Sequence, residues 1–133
     1  MTRGALLYLD TSAAAKLLVA EPERPPLMVR LATAEALVSS ELLVVELLRV
    51  GARLGGQGPR LARELLRDVI MLPLTRPLLE RAGALQPPTL RPLDAIHVAA
   101  ALALGARLDA VVTYDERQAA AARAHRLRVE SPS

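Results

Sequence analysis

The sequence predicts an α/β fold, a three-layer α/β/α arrangement in which helices cover both faces of a parallel sheet of four or five strands. Three observations predict it. Short apolar runs alternate along the chain with longer stretches of helical character, the pattern of βαβ crossovers. The runs are bounded by turn residues and acids, as buried strands are. The apolar content, 52% of the chain, comes from Leu, Ala and Val with no Phe and no Trp, which suits aliphatic packing between helices and a sheet. At 133 residues the chain is expected to be one domain spanning 1–133.

Residues 5–9 (ALLYL) read as a buried strand that ends at Asp10. Asp10, Thr11 and Ser12 open a helix over 13–20, which Pro22 helps to end. A second helix is expected over 27–34, a brief strand over 36–39 and a longer helix over 41–54, stopped by the Gly-rich segment 55–59. A helix over 60–68, a strand over 69–72 and a helix over 76–85 follow. Residues 86–92 carry Pro87, Pro88 and Pro92 and are expected as a loop. Then come a helix over 93–104 closed by Gly105, a strand over 110–113, a helix over 116–124 and a last short strand over 127–129. There is no internal repeat. Open α/β sheets carry their active sites beyond the carboxyl ends of the strands, so acids at those ends matter most.

Composition narrows the chemistry. No cysteine is present, which excludes disulfides and thiolate metal sites. His97 and His125 are the only histidines and lie far apart, so a His-rich zinc site is not expected. A metal here must be held by carboxylates, which selects a hard cation, Mg²⁺ with Mn²⁺ able to substitute. Net charge is +3, and Lys16 is the only lysine. Arginine suits bidentate phosphate recognition, although genomic base composition also enriches Arg over Lys. Asp10 and Lys16 interrupt the apolar start, and the longest low-polarity stretch, 95–104, is about half a membrane span. A cytoplasmic protein with no membrane association is expected.

Four acids stand out. Asp10 follows the first strand, Asp115 comes two residues after Thr113, Asp94 lies in the first turn of a helix, and Glu46 lies mid-helix. Asp10, Asp94 and Asp115 also have a plain structural role open to them, capping helix N-termini. Glu46 sits between an apolar arc (Leu43, Leu47, Val50, Leu54) and Arg49 and Arg53, and an ordinary pair with Arg49 is its alternative. Four converging carboxylates repel one another and hold protons unless a cation joins them. Mg²⁺ resolves that conflict with one or two carboxylates, several waters and substrate phosphate oxygens.

Four segments carry a resemblance: 10–17 (DTSAAAKL), 40–49 (SELLVVELLR), 93–100 (LDAIHVAA) and 112–117 (VTYDER). In this order and spacing they resemble the motifs of PIN-domain ribonucleases, above all the VapC-type toxins of bacterial toxin–antitoxin pairs. The resemblance implies a PIN-like fold and a metal-dependent endoribonuclease in which Asp10, Glu46, Asp94 and Asp115 bind the metal and carry catalysis. It implies that Ser12 and Thr113 support the site by hydrogen bonding, and that the partners are RNA, a cognate antitoxin and a second copy in a homodimer. His97 is expected to pack or to support the site from behind. Pro92 stands where such segments commonly have Ser or Thr, and 124–127 (AHRL) lacks the glycine often found at that turn.

Arg60, Arg63 and Arg67 recur at helical spacing, either as a solvated face with pairs such as Arg60–Glu64 or as a track for RNA backbone. Only Tyr8 and Tyr114 are aromatic, so base stacking on rings contributes little. Three alternatives stand beside this reading: a phosphotransfer domain with Asp10 as nucleophile, a housekeeping RNA-processing nuclease without antitoxin, and a non-catalytic PIN-like binding module.

Overall fold

A computed structural model describes residues 5–133. Five strands, β1 (Leu6–Leu9), β2 (Ala36–Ser40), β3 (Val69–Leu72), β4 (Leu108–Val112) and β5 (Val129–Glu130), form one sheet in the order β3-β2-β1-β4-β5, and every pairing is parallel. Parallel neighbours require crossovers. These are supplied by α1 (Thr11–Lys16) and α2 (Arg24–Leu31), α3 (Leu42–Leu54) and α4 (Gly58–Arg67), α5 (Arg76–Gly83) and α6 (Pro92–Ala103), and finally α7 (Glu116–Ala124).

The period of two along the strands divides the core. Leu7 and Leu9 of β1, with Ala110 and Val112 of β4, pack with Ala13, Ala14, Leu27, Leu43, Leu47 and Ala62 from α1 to α4. Tyr8 and Val111 point to the other face, against Leu78 and Ala82 of α5 and Ala95, Ala99 and Ala100 of α6. Both faces of β1 are therefore buried, which is why its run is continuously apolar.

The element order agrees with the sequence reading, most boundaries shift by one to four residues, and four of the shifts have a plain physical or geometric reading. The first helix ends at Lys16 instead of running to residue 20. The second begins at Arg24, three residues early, because Pro25 and Pro26 occupy its first turn, where a missing N–H costs nothing. Pro92 likewise is the first residue of α6 and not the end of a loop. The last strand is Val129–Glu130 instead of 127–129, because the chain first turns through Arg126, which takes the left-handed conformation (φ 64°) where glycine is usual.

Where α3 meets α4, Gly51 faces Gly58: a Cβ on Gly51 would lie 2.7 Å from the Gly58 carbonyl oxygen and 3.0 Å from the Ala62 Cβ. The obstacle is backbone, which cannot swing aside. Gly51→Ala is therefore expected to lower the unfolding free energy by about 1–3 kcal/mol, read as a lower thermal denaturation midpoint.

Candidate active site

The strand order reverses between β1 and β4, since β1 leads to β2 on one side and has β4 on the other. That reversal opens a crevice beyond the carboxyl ends of the two strands. Asp10 follows β1 and Thr113 follows β4 directly, with Asp115 two residues on.

Asp10 is 4% exposed and caps α1: its Oδ1 accepts from the Ala13 N–H at 3.0 Å and from the Ser12 hydroxyl at 2.7 Å. Its Oδ2 accepts from the Thr113 hydroxyl at 2.5 Å. Ser12 Oγ also accepts from the Tyr114 N–H at 2.8 Å and lies 3.2 Å from Thr113 Oγ1, so Ser12 and Thr113 hold the ends of β1 and β4 together around the carboxylate. Burial nevertheless outweighs these bonds and raises the Asp10 carboxyl above its ordinary value.

Glu46 reaches the same end of the sheet from α3. Its Oε1 accepts from the Thr11 hydroxyl and lies 3.0 Å from His97 Nε2. Among the described residues there is no ion pair with Arg49, so Glu46 is used inward. His97 is 4% exposed, and its Nδ1 lies 2.7 Å from the Tyr8 hydroxyl, the two rings meeting edge to face at 5.7 Å. A carboxylate only accepts, so Nε2 carries a proton and donates to Glu46; in the neutral ring Nδ1 then accepts from Tyr8. Burial keeps the Tyr8 phenol protonated far above its ordinary range, which preserves that donor. Burial also pulls the Glu46 carboxyl upward, but the bonds from His97 and Thr11 outweigh it and hold it below its ordinary value. Both bonds fall on Oε1, and Oε2 has no partner among the described residues.

Tyr8→Phe removes the donor and leaves a buried imidazole nitrogen unpaired. A loss of about 1–3 kcal/mol of unfolding free energy is expected in chemical denaturation, with unchanged helix content.

Asp94 is in the first turn of α6, and its backbone oxygen accepts from the buried Gln118 amide at 3.3 Å. Burial, then the charge of Asp115, push its carboxyl above the ordinary value, against the pull of Arg91 and Arg117. Asp115 is exposed and caps α7 through Oδ1, which accepts from the Arg117 and Gln118 N–H groups at 2.8 and 3.2 Å. The capping role open to Asp10 and Asp115 from the sequence is thus real, and it occupies one oxygen of Asp115. Arg60, Arg63 and Arg67 are exposed on α4; Arg60 pairs with Glu64 at 3.8 Å, and none of the three bonds to an acid of the site.

The acids are held in separate pieces: Glu46 by His97, Asp10 by Ser12 and Thr113, and Asp94 under the charge of Asp115. Among the described residues, no three carboxylate or imidazole groups stand close enough to enclose a cation by themselves. The donor chemistry still fits a hard divalent ion: the acids offer only oxygen, and Asp10, by burial, and Asp94, by burial and the charge of Asp115, are held above their ordinary values, which a nearby cation would offset. Mg²⁺ needs only one or two carboxylates because it keeps several waters.

Thr11 and Tyr8 join the site only through tertiary contacts, and no pattern in the sequence marks them. His97 is legible in part, since it lies three residues after Asp94 and so on the same helix face.

A parallel α/β domain with acids placed beyond the carboxyl ends of its central strands is the class that the fold and site define. The PIN domain family model matches residues 7–124. Ribonuclease VapC47 of Mycobacterium tuberculosis is 48% identical over 118 residues, covering 84% of this chain and 86% of that protein. Ribonuclease VapC46 of the same organism is 40% identical over 129 residues, covering 97% and 99%. The crystal structure of Mycobacterium tuberculosis VapC20, a Sarcin-Ricin loop cleaving toxin, superposes with a TM-score of 0.70 over 86% of this chain and 94% of its own, at 18% identity, a likeness of fold. The chain belongs to the PIN-domain family and, within it, to the VapC group.

Proposed function

We propose that the chain is a Mg²⁺- or Mn²⁺-dependent endoribonuclease and the toxin of a VapBC-type toxin–antitoxin pair, acting in the cytoplasm as a homodimer. The observation that supports the activity is the likeness to ribonucleases, 48% identity to one of them, in a chain whose Asp10 and Thr113 follow the central strands β1 and β4 and whose Glu46 is turned inward to His97. The antitoxin and the second copy rest on the likeness to VapC proteins. Among the described residues no helix is long and apolar enough to cross a membrane.

In this mechanism Asp10 and Asp94 would hold the cation, and Glu46 and Asp115 would complete its surroundings. The cation, when bound, steadies the phosphate oxygens and makes water easier to deprotonate. The chain's own groups do the rest. Ser12 and Thr113 fix the Asp10 carboxylate. Glu46, anchored at Oε1, offers Oε2 to the proton of the attacking water. Water oxygen bonds to phosphorus and the bond to the 3′ oxygen breaks, leaving a 5′-phosphate and a 3′-hydroxyl; the ribose 2′-hydroxyl takes no part.

Mg²⁺ or Mn²⁺ is expected to raise the thermal midpoint of the wild type, because an ion bound only by the folded state stabilises it by mass action. Asp10→Asn and Asp94→Asn should lose most of that rise. Equal rises in wild type and both variants would remove these acids from the metal site.

A further inference from the structure

Asp94 lines a cleft of about 320 Å³ between the segment leading into α6 and the face of α7. Its size is at the low end of small-molecule sites, roughly 300–1,000 Å³. Leu90 lines one side, and Ala120, Ala121 and Ala124 line the other, so the small side chains of α7 leave the space open. Arg91 and Arg117 stand at this cleft, and both are exposed. Among the described residues neither forms an ion pair, so both guanidinium groups are open to a phosphate. Both act electrostatically on Asp94, so they share its end of the crevice. A larger hollow of about 500 Å³ between α5 and α6 holds none of the four acids.

Arg91 and Arg117 are set apart by their place, two guanidinium groups beside an apolar slot that Asp94 also lines. The acids alone repel a polyanion, so a substrate phosphate near Asp94 needs local positive charge. Arginine supplies it as a planar fork that matches phosphate oxygens. The slot between Leu90 and the alanines suits the face of one base, with no aromatic ring to stack on.

We propose that this cleft binds one nucleotide of single-stranded RNA next to the scissile phosphate, with its phosphate on Arg91 and Arg117 and its base against Leu90, Ala120 and Ala124. The site rests on the ribonuclease reading and adds to it the part of the chain that grips substrate. It places the phosphate grip at the entrance to α6 and on α7 and not on Arg60, Arg63 and Arg67 of α4.

The test measures affinity for a short single-stranded RNA by fluorescence anisotropy at several salt concentrations with Mg²⁺ present. An Asp10→Asn background suppresses cleavage. Adding Arg91→Gln and Arg117→Gln should weaken binding at least about tenfold and flatten the salt dependence by about 0.7 in log–log slope for each phosphate no longer neutralised. Ala120→Leu, which fills the slot without touching charge, should weaken binding and leave the slope unchanged. Arg60→Gln with Arg63→Gln should do neither. If the wild type cuts RNA but the Arg91/Arg117 variant binds with unchanged affinity and slope, the cleft assignment is overturned alone. If the wild type neither binds nor cuts RNA, the ribonuclease reading falls and the cleft with it.

Discussion

Asp10→Asn is expected to reduce RNA cleavage by more than the roughly 10–100-fold that loss of a supporting group at a metal site costs, while the chain stays folded. The amide oxygen can keep the Ala13 N–H and the Ser12 hydroxyl, and the amide nitrogen can donate to Thr113 Oγ1, so the α1 cap survives. Without divalent cations this variant should be more stable than wild type. The folded-state pKa of Asp10 is raised by burial, so the folded state binds this proton more tightly than the unfolded state does. Stability contributed by the protonated form is therefore present at low pH. It is lost as pH rises from the ordinary Asp value through the raised one. Asp94, raised by burial and by Asp115, acts in the same direction; Glu46, lowered, adds stability above its ordinary value that is lost as pH falls through the lowered one. Denaturation midpoints against pH in EDTA should fall across the first window for wild type and fall less for Asp10→Asn. Identical pH profiles would show that Asp10 does not carry the buried charge.

Glu46→Gln should cost cleavage about 10²–10⁴-fold, the usual range for a positioned proton acceptor, with RNA affinity nearly unchanged. The amide can still accept from Thr11 and His97 at its oxygen, so the side chain keeps its place and loses only its charge and basicity. A kcat loss with constant KM is the expected signature. A raised KM with normal kcat would make Glu46 a substrate-binding group instead.

The sheet is legible in the sequence because β1 to β4 are short apolar runs closed by an acid, a hydroxyl residue or a proline, and because both faces of β1 are buried. Helix lengths are less so: nothing in 13–20 (AAAKLLVA) is a helix breaker, yet α1 stops at Lys16 and the chain turns before α2. Asp10, Asp94 and Asp115 can be found from their places at strand ends and helix starts. Glu46 is visible as an acid bordering an apolar arc. What no local pattern reveals is the support behind them. Tyr8 and His97 are 89 residues apart, and Thr11 and Glu46 are 35 apart. Those contacts exist only once α3 and α6 have packed on opposite faces of the sheet. Arg91 and Arg117 lie outside any helical repeat of charge, and only tertiary structure brings both to Asp94.

The most direct measurement is the chemistry of the cut ends. Purified chain, free of any antitoxin, is incubated with single-stranded RNA in Mg²⁺ and in excess EDTA, and the product termini are identified by mass spectrometry. Attack by water on phosphorus, with the cation needed to steady the phosphate, predicts 5′-phosphate and 3′-hydroxyl ends in Mg²⁺ and no cleavage in EDTA. Products ending in a 2′,3′-cyclic phosphate, or cleavage that continues in EDTA, would contradict it.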